Sequence, residues 1–330
     1  MKPTYLTNLL CAATFVITVF AGPAQAAELK FAHVYETSHP LHEGAERAAE
    51  LFAERTNGRH SMTVFPASSL GKESDLNEGL SLGTVDVIYT GAGFAGSSYG
   101  PISITDFPFT LRNLQHWAAY YESDLFDRNA KAYAEATQGN EIVSISYYGA
   151  RHVTANKPIL TPEDMQNLKI RVPNAPAYVL FPEAVGANPT PMAFSEVYLA
   201  LQQGVVDAQE NPLPTIQAKK FHEVQSNINL TGHIINSIFT VVSGIRLAQL
   251  SDEDREILEG VLDETADWVT EQIVASEASL ADWFREQGTN VNEVDRGPFI
   301  AAVAPALTAG GLPFSEEDYR ELQAIPDKKS

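Results

Sequence analysis

Cysteine is nearly missing from this chain: Cys11 is the only one in 330 residues. That excludes a disulfide framework and a thiolate metal centre. Basic residues are also scarce, with 22 Lys and Arg against 42 Asp and Glu, for a net charge of -20. Nucleic acids and anionic membranes need basic patches, so neither is an expected partner. An anionic small molecule is not excluded, because a few arginines can converge locally. No G-x-S-x-G, H-E-x-x-H, Walker loop or G-x-G-x-x-G follows a strand, and Gly91-Ala92-Gly93 is only a fragment of the last. What remains is an ordinary globular composition, 44 % hydrophobic and 19 % charged, long enough for roughly two domains.

One apolar run stands out, Leu9 to Ala21. It spans about 13 residues, short of the roughly 20 a membrane-crossing helix needs. Lys2 is the only charge before Glu28, and Gly22-Pro23 and Ala24-Gln25-Ala26 follow the run. This pattern is a cleavable secretory signal over 1–26, with processing after Ala26. Cys11 lies inside it behind Leu9-Leu10, which lacks the small residue expected before a lipidated cysteine. A cysteine-free, acidic, extracytoplasmic protein is expected.

Beyond the leader, hydrophobic periodicity alternates. Strands are expected at 29–34, 61–65 and 85–89, with helices at 41–57 and 76–82 between them. This order signals α/β structure with a largely parallel sheet. A helix at 113–138 and a strand at 142–148 follow. Thr161-Pro162-Glu163-Asp164 has the chemistry of a helix start. A strand at 168–172, a helix at 195–203 and a strand from Val205 begin the rhythm a second time. Ser251 and the three acids behind it open a long helix to about Gln287. At about 1.5 Å per residue it is roughly 50 Å long, enough to span two domains.

Two arginines draw attention. Arg151 follows the strand ending at Tyr148, and Arg171 lies inside apolar Leu168–Val172. A buried guanidinium is costly unless paired. Arg171 either pairs with a carboxylate such as Glu210 or awaits an anionic ligand, whose carboxylate matches its donor fork. His39 and His42 suggest a metal site, but no third ligand is near, and surface polarity at a helix start is the simpler reading. No metal or cofactor is expected. Glu36, Asp207 and Glu210 have no nucleophile beside them; one arginine pair and solvated acids explain them more simply.

Residues 170–212 carry a resemblance. Ile170-Arg171-Val172-Pro173 after Lys169, Gly186-Ala187 to Pro189-Thr190-Pro191-Met192, Glu196-Val197-Tyr198 to Gly204, and Asp207 to Gln209-Glu210-Asn211-Pro212 occur in order. Weaker pieces extend it: Phe65-Pro66, Leu70-Gly71, Gly83-Thr84-Val85-Asp86 and Asp106-Phe107-Pro108-Phe109. Together these resemble the DctP family of solute-binding proteins, which serve tripartite ATP-independent periplasmic (TRAP) transporters. Ala208 and Asn167 stand where the family usually has glycine.

The resemblance implies a two-lobed periplasmic binding protein fold of class II-like α/β type, joined by crossing strands and a long spanning helix. It places lobe I at 27–149 plus 237–276 and lobe II at 150–236 plus 277–330. It implies that Arg171 holds a ligand carboxylate, that Arg151 and Asn211 touch the ligand, and that Phe194 and Asn174 flank it. Tyr35, Tyr89, Phe94, Tyr147, Tyr148, Phe194 and Phe239 are candidate wall aromatics, although each fits core packing as well. Glu36, if inward, favours hydroxyls or an amine. The loop Thr90–Phe94 carries no charge, and His33, Lys72 and Arg112 are the only cations available for a second carboxylate. A compact monocarboxylate, such as a sugar acid or an aromatic acid, therefore ranks above a C4-dicarboxylate. The implied partners are that ligand and the small and large permease subunits, with a monomeric binding protein. A sensor presenting ligand to a receptor, or a periplasmic hydrolase or lyase, are the rival functions.

Overall fold

The computed structural model describes residues 26–328. The expected secretory signal, apart from Ala26, and Cys11 lie outside them. The chain begins with β1 (Glu28–Ala32), α1 (Pro40–Arg55), β2 (Ser61–Phe65), α2 (Glu73–Leu82), β3 (Val87–Gly91) and a one-turn α3 (Ala92–Ala95). β1 pairs in parallel with both β2 and β3. The expected strand–helix rhythm is therefore real in this half. The expected helix at 113–138 is two helices, Leu114–Tyr121 and Asp124–Ala136. Ser123 breaks the run by capping the second one, its hydroxyl accepting the Phe126 amide at 3.3 Å.

The next strand, β4 (Glu141–Ala155), is far longer than expected, so Arg151 sits within it rather than after it. The helix start at Thr161 yields only a short 3-10 turn, Pro162–Met165. Asn167 then takes a left-handed conformation (φ 61°), which explains how it serves at a glycine position: Asn tolerates that region better than most residues. β5 (Lys169–Val172), β6 (Asn188–Pro191) and β7 (Ala208–Pro212) build a second parallel unit around β5. β8 (Asn227–Val242) returns, and β9 (Asn290–Glu293) adds to its first residues.

The nine strands among the described residues form one sheet, in the order β2-β1-β3-β8-β4-β7-β5-β6 with β9 on β8. β4 and β8 are its spine. They pair antiparallel with each other, with β3 at the β1–β3 end and with β7 at the β5–β7 end. β8 was not legible beforehand, because Asn227, Asn229, Thr231, His233 and Asn236 make it read as polar. All five are buried, and hydrogen bonds satisfy them.

The long helix runs from Asp252 to Glu286, with Ser251 capping it as expected. Leu258, Val261, Leu262, Ala266, Val269 and Ile273 are buried along it. It packs against β4 and α1. Gly44 of α1 permits the approach, since a Cβ there would stand 2.3 Å from Val269 Cγ2. Where the two halves meet, β4 is irregular at Gly149 (φ 113°). Glu277 of the long helix accepts the Ala150 amide at 2.8 Å and the Tyr147 hydroxyl at 2.9 Å.

Candidate functional site

Strand register decides the fate of the two arginines. On β4 and β7, Val153 faces Glu210 and Arg151 faces Pro212. This brings the Glu210 carboxylate back onto Arg151. Arg151 Nε donates to Glu210 Oε2 at 2.5 Å and Nη2 to Oε1 at 2.7 Å. Nη1 donates to Asn236 Oδ1 at 2.9 Å, and Nη2 lies 3.2 Å from Asn211 Oδ1. His233 Nε2 supports Glu210 Oε2 from 3.1 Å, and Phe181 stacks on the His233 ring at 4.1 Å. Burial penalises the Arg151 charge, but the Glu210 carboxylate outweighs it and raises the guanidinium's pKa. Burial likewise opposes ionisation of Glu210, yet Arg151 and His233 hold its pKa below the ordinary range. This pair is internally neutral.

Arg171 differs. Paired with Gln209 of β7 and Thr190 of β6, it is 2 % exposed. Its Nε and Nη2 both donate to the Met192 carbonyl, at 3.1 and 2.7 Å. Nη1 has no hydrogen-bond partner among the described residues. Burial lowers its pKa to about 10. The ring of Phe194 lies 5.9 Å from its guanidinium. Arg171 therefore keeps a buried charge without a carboxylate against it.

Both arginines line one small cavity between the halves of the molecule. Tyr35, Glu73, Gly91 and Phe94 form the β1–β3 side; Tyr148, Tyr178, Phe194 and Asn211 face them. Glu73, the first residue of α2, is held by the Gly91 amide at 2.7 Å and the Thr90 hydroxyl at 3.2 Å, both on its Oε1. Burial raises its carboxyl to about 7. Beneath, Asp106 accepts the Gly93 amide and the Tyr178 hydroxyl, each at 2.6 Å, on Oδ2, and the Asn236 amide, also at 2.6 Å, on Oδ1. Burial raises Asp106 to about 6. A second cavity adjoins the first, sharing Glu73, Phe94, Arg171 and Phe194 and reaching Lys72 and Asn174. Contacts bridge the two halves beside it: His39 Nε2 meets the Thr215 hydroxyl at 3.1 Å, and Lys219 pairs with Glu36. The arrangement can hold a small anion between walls that include the rings of Tyr35, Phe94, Tyr148, Tyr178 and Phe194.

Residues 31–310 match the family model described as bacterial extracellular solute-binding protein, family 7, named DctP. The chain belongs to this family. It is 32 % identical over 298 residues to the sialic acid-binding periplasmic protein SiaP of Vibrio cholerae, covering 90 % of this chain and 92 % of that one. A TRAP periplasmic solute-binding protein from Roseobacter denitrificans, solved with L-galactonate, superposes with TM-score 0.85 at 32 % identity, over 91 % of this chain and 99 % of that one. Another from Polaromonas, solved with D-erythronate, gives TM-score 0.87 at 29 % identity, over 92 % and 100 %. As a DctP-family protein it binds a solute rather than transforming it. No helix among the described residues is long and apolar enough to cross a membrane.

Within this DctP-family cleft, Arg171, Arg151, Asn211, Phe194, Tyr35, Phe94 and Tyr148 are brought together, with Asn174 next door. Four candidates are not. Glu36 does not face inward, since Lys219 of the other half pairs with it. Tyr89 is core, packed on Phe31 with ring centroids 4.7 Å apart. Phe239 is fully buried against Phe126 because Ile238, its neighbour on β8, takes the cavity face. Tyr147 alternates away from Tyr148 toward Glu277. His39 is not on the surface but buried where the halves meet. Of the spare cations, His33 is buried with its pKa lowered to about 3, chiefly by burial. Arg112 pairs with Asp327, and only Lys72 reaches the cavities. Glu73, Asp106, Tyr178 and Asn236 escaped the sequence reading. Glu73 had one signal, an acid at a helix start beside an uncharged loop.

Proposed function

We propose that this protein captures a sugar acid carrying one carboxylate outside the cytoplasm and delivers it to the small and large permease subunits of a TRAP transporter. The supporting observation is the contrast between the arginines: Glu210 neutralises Arg151, while Arg171 keeps a buried Nη1 without a partner. A ligand carboxylate supplies the missing counter-charge, and its hydroxyls find Glu73 and Asn211 across the cleft. The sugar acids named with two relatives, L-galactonate and D-erythronate, support this class. Lys72 as the one further cation at the cavities favours one carboxylate over two. The halves built on β1–β3 and β5–β7 act as the two lobes, 27–149 with 237–276 and 150–236 with 277–330, in a monomer. Closure removes water and strengthens the Arg171–carboxylate pair. Without ligand, the uncompensated charge favours the open state, so ligand selects closure. Capture in the micromolar to nanomolar range needs about 8–12 kcal/mol. The test is calorimetry against a panel of aldonic and uronic acids, C4-dicarboxylates and aromatic acids. Tight binding confined to dicarboxylates, or none at all, would overturn the proposal.

A further inference from the structure

We propose that Tyr178 sets the length of acid this cleft accepts and latches the closed form; this rests on the organic-acid reading above. Tyr178 ends a short 3-10 turn, Pro176–Tyr178, on the β5 side. Its ring crosses to the end of β3 and to α3. There it lies where only glycines leave room: a Cβ on Gly91 would stand 3.0 Å from its hydroxyl oxygen, and one on Gly93 would stand 2.8 Å from Cε2. The hydroxyl donates to Asp106 Oδ2 at 2.6 Å, and the Arg151 guanidinium sits 5.1 Å from the ring centroid. The side chain is 4 % exposed and forms part of the cavity wall.

Two consequences follow from this placement. The ring occupies space beside Gly91 and Gly93 that a longer polyol chain would need. Its bond to Asp106 joins the two halves, so it exists only when they meet. Tyr178 is thus a specificity-determining wall and a closure contact at once. Removing the ring opens the cavity onto Asp106, whose carboxylate accepts hydroxyl groups.

Calorimetry with a four-carbon aldonate, a six-carbon aldonate and a nine-carbon sialic acid tests this. The wild type binds the two shorter acids more tightly than the nine-carbon one. Tyr178→Phe keeps the ring and loses the bond; all affinities fall by a common factor of about tenfold, mostly through faster dissociation, with the order kept. Tyr178→Ala, or Tyr178→Leu if alanine does not fold, shifts the ratio of nine-carbon to six-carbon affinity by about tenfold or more toward the longer acid. A folded Tyr178→Ala or Tyr178→Leu with the wild-type ratio overturns the proposal alone, provided the wild type binds and Arg171→Ala does not. A wild type that prefers the nine-carbon acid also overturns it. A wild type that binds none of the three overturns it together with the organic-acid reading.

Discussion

Replacing Arg171 separates binding from folding in this molecule. In the closed cleft its guanidinium is 2 % exposed, two of its nitrogens hold the Met192 carbonyl, and Nη1 is left for an anion. Arg171→Ala leaves a ligand carboxylate buried without a counter-ion, a loss of about 3–5 kcal/mol for one partner of a buried pair. That corresponds to roughly two to nearly four decades in Kd. Arg171→Lys restores charge but not the planar fork: its three donors radiate from a single nitrogen and do not match the Met192 carbonyl and a coplanar carboxylate as the guanidinium does, so most of the loss persists. The ligand-free protein keeps its melting temperature to within about 2 °C, because the lost hydrogen bonds to the Met192 carbonyl are offset by removal of an uncompensated buried charge. Arg171→Met goes further: it removes the penalty on closing without ligand, so a larger fraction of ligand-free molecules is closed. Calorimetry gives the affinities, and donor–acceptor fluorescence between the halves gives the closed fraction. If Arg171→Ala retains ligand-induced melting shifts of wild-type size, the reasoning about the unpaired guanidinium is wrong.

Other expectations follow from neighbouring contacts. Burial raises Glu73 from 4.5 to about 7 and Asp106 from 3.8 to about 6. The folded protein then binds protons that the unfolded chain does not, so this contribution to stability is full at low pH and is lost as pH rises from about 4 to 7; Glu73→Gln removes the upper limb of this dependence in a pH series of denaturant unfolding. Gly149→Ala places a Cβ 2.7 Å from Glu277 Oε1 and 2.9 Å from Pro212 Cβ in a left-handed backbone. Denaturant unfolding should show a loss of about 3 kcal/mol. The Lys219–Glu36 pair across the cleft has side chains 15 % and 32 % exposed. Lys219→Met should weaken ligand binding less than about fivefold, with the difference fading in high salt.

Much was readable without coordinates where local physics decides. The α/β alternation and the long capped helix follow from periodicity and capping chemistry over a few residues. Arg171 stood out because a charge in an apolar strand needs a reason. Tertiary structure alone decided which of the two arginines is free. Glu210 suits either arginine by type, and only the register of β4 on β7 gives it to Arg151. Strand β8 hid behind polar residues whose partners lie on other strands. Glu73, Asp106 and Tyr178 meet at one cleft from separate segments, and side chains such as Ile238 and Phe239 part company only because a paired strand sends neighbours to opposite faces. Local pattern carries backbone preference and burial, but pairing between distant segments is set by how whole strands align, and that information is not local.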